Sequence, residues 1–208
     1  MSTEILLALA MFAFITSITP GPNNIMIMTS GLNFGIRRSL PHFLGILFGF
    51  PLMTVLVGLG LGFVFERYPL VHEIIKIAGV CYLLWLAWKV ANSSPTSLNI
   101  AKARPFTFIQ SILFQWLNPK GWMMVLGAVA AYTTAEGNIY LQVLIIAGMF
   151  MLACLPGVGS WLFLGVGLKK LLKSEQQQRL FNYTMAVLLL LSVVPVLIEM
   201  WESYFTAG

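Results

Sequence analysis

Two short polar motifs interrupt apolar stretches of the chain, and the first has the residue types to bind a small zwitterion. It lies in a stretch without charged residues, Ile5 to Ile36, and consists of Thr19, Pro20, Gly21, Pro22, Asn23 and Asn24. Each proline removes an amide donor and obstructs the carbonyl one turn earlier, so a helix must break there. A helix that restarts near Asn23 would point free amides and its positive dipole end at a carboxylate. The carbonyls freed at residues 16–18 could accept from an ammonium, and the asparagine amides could do either.

The second motif is Asn118, Pro119 and Lys120, in another apolar segment. If that segment spans a bilayer, an idle lysine at its middle costs roughly 2.5 to 3.5 kcal/mol on insertion scales. We predict that Lys120 faces a cavity and pairs with a substrate carboxylate. Two alternatives stay open: Lys120 binds carbonyls freed at a helix break, or it reaches the membrane surface because the break is shallow.

The two motifs together define the predicted substrate-binding residues, which are Thr19, Pro20, Gly21, Pro22, Asn23, Asn24, Asn118, Pro119 and Lys120. No catalytic residue, metal site or cofactor is predicted. Cys81 and Cys154 lie singly in apolar runs, without the spacing of metal ligands or of a disulfide framework. We interpret both as small buried hydrophobic residues.

The elements that must position these motifs are membrane helices. Hydrophobic residues make up 59% of the 208 residues and charged residues only 9%, whereas soluble domains carry roughly 25% charged residues. Charge-free stretches long enough to span a bilayer, which takes about 20 residues, recur along the chain. Charge gaps together with proline and glycine positions predict six helices, at 4–33, 42–65, 70–90, 106–133, 138–167 and 179–200.

Basic residues are distributed unequally between the two sets of loops that six spans would create. One set carries nine, namely Arg37, Arg38, Lys89, Lys102, Arg104, Lys169, Lys170, Lys173 and Arg179. The other set carries Arg67 and Lys76, together with Glu4, Glu66, Glu73, Glu136, Glu199 and Glu202. Because basic loops stay in the cytoplasm, we predict that both termini lie outside.

The two motifs occupy corresponding places in the first and fourth predicted helices. Matched interrupted helices in two halves indicate a transporter with inverted repeats and a site at the bilayer midplane. We therefore predict an all-α membrane protein with six transmembrane helices. Its single domain, 1–208, would consist of two inverted three-helix repeats, about 1–95 and 105–208, each beginning with a broken helix.

Other glycines and prolines are interpreted as packing devices or kinks. The pairs Gly31 and Gly35, Gly45 and Gly49, and Gly58 and Gly62 are spaced to let helices approach closely. A third interruption at Pro156 and Gly157 is read as a kink or a break in the fifth helix.

Several of these features together resemble the LysE/RhtB superfamily of amino-acid exporters. The resemblance covers essentially the whole chain and rests on TPGPNN at 19–24, Gly35, Gly45 and Gly49, AGVCYLLWLAWK at 78–89, and LNPKGW at 117–122. Within the superfamily the doubled asparagine and the WLAWK ending look most like the cysteine and O-acetylserine exporter branch. The resemblance implies a small carrier of the bacterial inner membrane that expels amino acids and is energised by the proton gradient.

The charged residues limit the predicted cargo. The sequence contains no Asp, and every Glu lies near a predicted helix end or loop, so a cationic solute would lack a counter-charge. We predict that the protein binds small neutral amino acids or close derivatives and lies in the lipid bilayer. No nucleic-acid partner is predicted. Homo-oligomerisation stays open. His42 and His72 titrate in a useful range but lie near predicted helix ends, and we name no proton carrier.

Other function classes fit the sequence less well. A passive channel would usually add rings of charge or carbonyl filters, and a membrane assembly protein would not need two matched breaks. An intramembrane protease is disfavoured because the chain lacks paired aspartates and a His-Glu-x-x-His motif.

Overall fold

A computed structural model describes residues 1–61, 67–92, 104–134, 137–172 and 174–205, and the regular structure in these ranges is helical. The helices are α1 (Thr3–Ile18), α2 (Pro22–Leu56), α3 (Pro69–Ala91), α4 (Phe108–Leu117), α5 (Pro119–Tyr132), α6 (Ile139–Leu171) and α7 (Glu175–Phe205). A π-helical turn, Val57–Leu61, continues α2. Both predicted helix breaks are confirmed, since α1 and α2 are separated at Thr19–Gly21 and α4 and α5 at Asn118.

Within these ranges, four helical segments are long and apolar enough to cross a membrane. They are Pro22–Gly60, Glu73–Ala91, Ile139–Leu168 and Glu175–Glu202. The shorter apolar helices α1 and α4 each lead directly into a second helix across a break. The arrangement of six spans in two inverted repeats stays a prediction. The orientation in the membrane also stays a prediction. Four of the charged residues on which it depends lie outside the described residues, namely Glu66, Lys102, Glu136 and Lys173.

Helix α2 folds back on itself at Gly35. This residue has φ 74° and ψ 176°, the backbone on either side is helical, and glycine tolerates a positive φ that other residues avoid. Residues twelve apart in a straight helix would be roughly 18 Å apart, yet Ser30 Oγ and His42 Nδ1 are 2.9 Å apart. The loop predicted at 34–41 is therefore wrong in extent, because one glycine is enough to reverse the chain.

The interruption at Pro156 and Gly157 does not break its helix. Helix α6 runs without a break from Ile139 to Leu171, so the alternative of a break there is wrong. A Cβ on Gly157 would lie 3.0 Å from Ser17 Cβ, at the end of α1. The glycine thus lets α6 pass close to the first helix break.

Small residues let the helices pack at short range. A Cβ on Gly31 would lie 2.5 Å from the Leu162 carbonyl oxygen of α6, and one on Gly49 would lie 2.8 Å from Ile112 Cα of α4. Gly58 likewise faces Val143 of α6. The predicted packing role is confirmed for these glycines, whereas Gly35 has no heavy atom within 4 Å of its added Cβ and serves the fold-back instead. Gly62 lies outside the described residues.

The packing of α2 on α4 gives a first prediction, at Gly45. A Cβ there would lie 2.5 Å from the Phe108 carbonyl oxygen and would also meet the Ser111 side chain. We expect Gly45→Ala to destabilise the fold by about 1 to 3 kcal/mol, the usual cost of overpacking, and to lower the melting temperature in detergent. Gly148→Ala is the matched control, because its Cβ would meet no heavy atom within 4 Å. Equal melting temperatures for the two variants would contradict this packing.

Candidate functional site at the two helix breaks

The first break results from its two prolines. Helix α1 ends at Ile18, Thr19 is extended, and Pro22 opens α2, where a missing amide proton costs nothing. Gly21 is fully extended between them, with φ 178°. The break leaves carbonyls at the end of α1 without helical partners, and these need donors from elsewhere in the protein.

Side chains supply most of those donors. Asn24, only 3% exposed, donates from Nδ2 to the carbonyls of Ser17 and Thr19, both at 2.8 Å. Trp161 Nε1 of α6 donates to the Ile18 carbonyl at 2.9 Å. The Thr19 hydroxyl donates to the Thr16 carbonyl at 2.9 Å. The carbonyls predicted to accept a substrate ammonium, at residues 16–18, are therefore engaged by protein donors in this structure.

Lys120 completes the first break from the other half of the chain. Its ammonium Nζ donates to the Thr19 carbonyl at 2.8 Å, to the Thr19 hydroxyl at 2.8 Å and to the Pro20 carbonyl at 3.3 Å. A lysine has three N–H donors, so these contacts use all of them. Of the three possible roles of Lys120, the structure shows the one in which it binds carbonyls freed at a break.

The dipole of α5 disfavours the positive charge of Lys120, whereas the dipole of α1 favours it. Lys120 is the second residue of α5, where the positive end of the helix dipole disfavours a cation, but its ammonium lies at the negative end of α1. The side chain passes directly over Gly21, whose added Cβ would lie 2.7 Å from Lys120 Cδ. A larger residue at this position would force the Lys120 side chain to shift.

The second break is a single residue, Asn118, between α4 and α5. Its backbone is extended, its N–H donates to the Gln115 carbonyl at 3.2 Å, and Pro119 opens the next helix. The side chain is 3% exposed, and its Oδ1 is buried with no hydrogen-bond partner among the described residues. A buried amide oxygen without a donor is costly, and it is an acceptor that a bound ammonium could satisfy.

Gln115 is a site residue that the sequence reasoning missed. Its side chain is fully buried and exchanges two hydrogen bonds with Asn23 of the first motif: Asn23 Nδ2 to Gln115 Oε1 at 2.8 Å, and Gln115 Nε2 to Asn23 Oδ1 at 3.3 Å. Gln115 Nε2 also donates to the Ser111 carbonyl at 2.8 Å. The sequence did contain a signal for this residue, because Gln115 is a polar residue inside an apolar segment, three residues before the Asn-Pro pair.

A small cavity lies where the two breaks meet. Of the predicted site residues, its walls include Gly21, Asn23, Asn24, Asn118 and Lys120. Thr19 takes part through its bonds to Lys120. Pro20, Pro22 and Pro119 do not line this cavity, and Pro119 lines a separate one.

The cavity also has a thiol in its wall. Cys154 of α6 is buried there, with its Sγ 3.7 Å from the Ser17 hydroxyl. The cavity has a volume of about 30 Å³. This is enough for about two water molecules, since one needs roughly 10 to 15 Å³ of such space. The structure therefore shows the site closed around its polar groups.

Comparisons with known proteins identify relatives of this chain. The sequence profile described as "LysE type translocator" matches residues 14–199. Proteins named "Cysteine/O-acetylserine efflux protein" from Escherichia coli K12, Escherichia coli O139:H28 and Shigella sonnei are each 30% identical over 199 residues, covering 94% of this chain and 99% of the relative. No solved structure matches the chain.

The family match spans both helix breaks and most of the helices that position them. Its members are translocators, and the apolar helices described above are those of a multi-pass membrane protein. The chain therefore belongs to the LysE type translocator family and is a membrane transporter rather than an enzyme.

Proposed function

We propose that this protein exports small neutral amino acids or close derivatives, and that its substrate site is the junction of the two helix breaks. The observation that carries the proposal is the contact of Lys120 with Thr19 and Pro20, which places polar groups of both halves around one cavity. The efflux proteins to which the chain is similar are named for cysteine and O-acetylserine. Both are small amino acids whose side chains carry no charge at neutral pH.

The junction offers one group for each charge of an amino acid. The Lys120 ammonium can exchange its carbonyl partners for a substrate carboxylate, a stronger acceptor because it is ionised. The unpartnered Asn118 Oδ1 can accept from the substrate ammonium. Asn24 holds the backbone at Ser17 and Thr19 through its hydrogen bonds, and Asn23 is held by the Gln115 side chain.

Substrate binding requires this junction to open. A cavity of about 30 Å³ cannot contain an amino acid, and the Lys120 side chain crosses directly between the breaks. When a carboxylate draws Lys120 away from the Thr19 and Pro20 carbonyls, the tie between the two breaks weakens. Binding energy and movement of the two halves are then coupled through the same side chain, as transport requires.

The remaining features of the proposal follow from charge distribution and family. We place the protein in the bacterial inner membrane with six spans, two inverted repeats and both termini outside, because basic residues concentrate in one set of loops. We propose that the proton gradient drives export. The cargo is neutral because the sequence has no Asp and no Glu in the cavity-lining segments to balance a cationic side chain.

This proposal predicts the outcome of a reconstituted efflux assay. Proteoliposomes that contain the protein and are loaded with radiolabelled O-acetyl-L-serine or L-cysteine should release the solute with saturable kinetics when a proton gradient is imposed. A protonophore should abolish the acceleration. Unlabelled neutral amino acids should compete, whereas lysine and arginine should not.

The alternatives give different results in the same assay. A passive channel would release the solute without saturation and irrespective of the proton gradient. A membrane assembly protein would release none. Preferred release of lysine or arginine would contradict the neutral cargo.

A second prediction concerns Lys120. We expect Lys120→Met to reduce export by about tenfold to a hundredfold, because the variant loses charge-assisted hydrogen bonds worth roughly 1.5 to 3 kcal/mol. The measurement is the initial export rate, normalised to the amount of protein in the membrane. Arg179→Met, which removes an exposed charge in α7 outside the walls of the junction cavity, is the control and should keep its rate. Full export by Lys120→Met would exclude Lys120 from the site.

A further inference from the structure

A second, larger cavity lies beside the first part of α2, which comprises residues 22–34. It is bounded by this segment, by α3 and by residues 104–106, and has a volume of about 310 Å³. Its polar walls carry the side chains of Thr29, Ser30, Asn33, His42, Lys89 and Arg104. This volume is about ten times that of the closed cavity at the helix breaks, so it has room for a small organic solute.

His42 is the innermost polar group of this cavity. The sequence placed it near a helix end, but the structure buries it to 1% exposure because α2 folds back at Gly35. Nδ1 lies 2.9 Å from the Ser30 hydroxyl, and Nε2 is buried without a hydrogen-bond partner among the described residues. When Ser30 donates to Nδ1, the neutral ring carries its proton on Nε2 and can donate to an anion.

The two charged residues in the wall of this cavity are both positive. Lys89 belongs to α3, where its Nζ lies 4.8 Å from the Trp85 ring, and Arg104 precedes α4. No Asp or Glu contributes to the described walls of the cavity, and the sequence between Lys89 and Arg104 contains neither residue. Two cations without a facing carboxylate favour a negatively charged group between them.

The rest of the wall is apolar. It consists of Met26, Phe34, Leu86, Val90, Pro105 and Phe106. The Phe106 ring lies 5.3 Å from that of His42. A site with a few converging polar groups in a mainly apolar wall is typical of small-molecule binding. Here the polar groups match a carboxylate and the apolar wall matches a short uncharged side chain.

Both cavities lie along one face of α2. Asn23 lines the closed cavity, and Met26, Ser30 and Asn33 line the larger one. Their spacing of three or four residues places them on one face of the helix. Asn23 and Ser30 are seven residues apart, or roughly 10 Å along the helix axis. A solute passing from the larger cavity to the helix breaks along this face would have to displace the packed Met26 side chain, which is 5% exposed.

We propose that the larger cavity is a loading site that binds the carboxylate of the amino acid before it enters the junction of the helix breaks. Lys89 and Arg104 attract the carboxylate, His42 Nε2 donates to it from the inner wall, and the exposed Asn33 can donate to it from the solvent side. This inference rests on the proposed export function. The site lies on the side of the basic loops, which the charge distribution assigns to the cytoplasm.

The test measures transport from that side. In everted membrane vesicles the cytoplasmic face meets the bath, so KM for O-acetyl-L-serine uptake reports on loading. We expect the double variant Lys89→Gln and Arg104→Gln to raise KM by about tenfold or more, the effect of losing a charge-assisted hydrogen bond, while kcat changes less than about twofold. Arg37→Gln removes a charge from the same predicted side of the membrane but outside the cavity, and should leave KM unchanged.

The inner wall has its own pair of variants. His42→Gln keeps an amide donor near the position of Nε2 and should preserve KM better than His42→Ala. The test compares the KM values of the two variants with each other. A lower amount of folded protein in both variants would not change KM and so would not affect this comparison. Equal KM values for wild type and the Lys89 and Arg104 double variant would overturn the loading site while leaving the export function intact.

Two further measurements could overturn the proposal: one varies the lipid composition, and the other tests transport by the wild-type protein. If the double variant raises KM only in vesicles that contain phosphatidylglycerol, and not in pure phosphatidylcholine, the cavity binds a lipid phosphate and the proposal is overturned. If the wild-type protein transports no amino acid from either side, the proposed export function fails and this inference fails with it.

Discussion

The site depends on one ammonium group bound to the carbonyls at the end of a broken helix. Pro20 and Pro22 end α1 and leave its last carbonyls without helical donors. Lys120, about a hundred residues later in the chain, donates three hydrogen bonds, to the Thr19 carbonyl, the Thr19 hydroxyl and the Pro20 carbonyl. A cation in an apolar environment and unpaired carbonyls are each costly alone. Each compensates for the other, and this holds the two broken helices together.

The same contact makes the junction suited to transport. A half-buried lysine bound to neutral carbonyls has partners that an ionised carboxylate can displace, because hydrogen bonds between two ionised groups are stronger. The Asn23 and Gln115 pair and the crossing over Gly21 fix where that displacement happens. The larger cavity, with Lys89, Arg104 and His42 in its wall, lies along the same face of α2, which makes it the proposed place of loading.

Sequence reasoning found the breaks because proline acts locally, on the turn that precedes it. It could not choose among the partners of Lys120, since Thr19 is 101 residues away and only the fold brings them together. Gln115 was missed for the same reason. His42 was misplaced because a loop was expected at 34–41, whereas a single positive φ at Gly35 folds the helix back and buries the ring beside Ser30.

The central claim is that the two helix breaks touch each other and must separate during transport. Cross-linking tests it most directly, with Asn23→Cys and Gln115→Cys in a protein that also carries Cys81→Ser and Cys154→Ser. A short bifunctional methanethiosulfonate, which is more tolerant of geometry than a direct disulfide, should join the two positions in membranes and stop export, and a reducing agent should restore it. Absence of the cross-link, or full export by the cross-linked protein, would contradict the account.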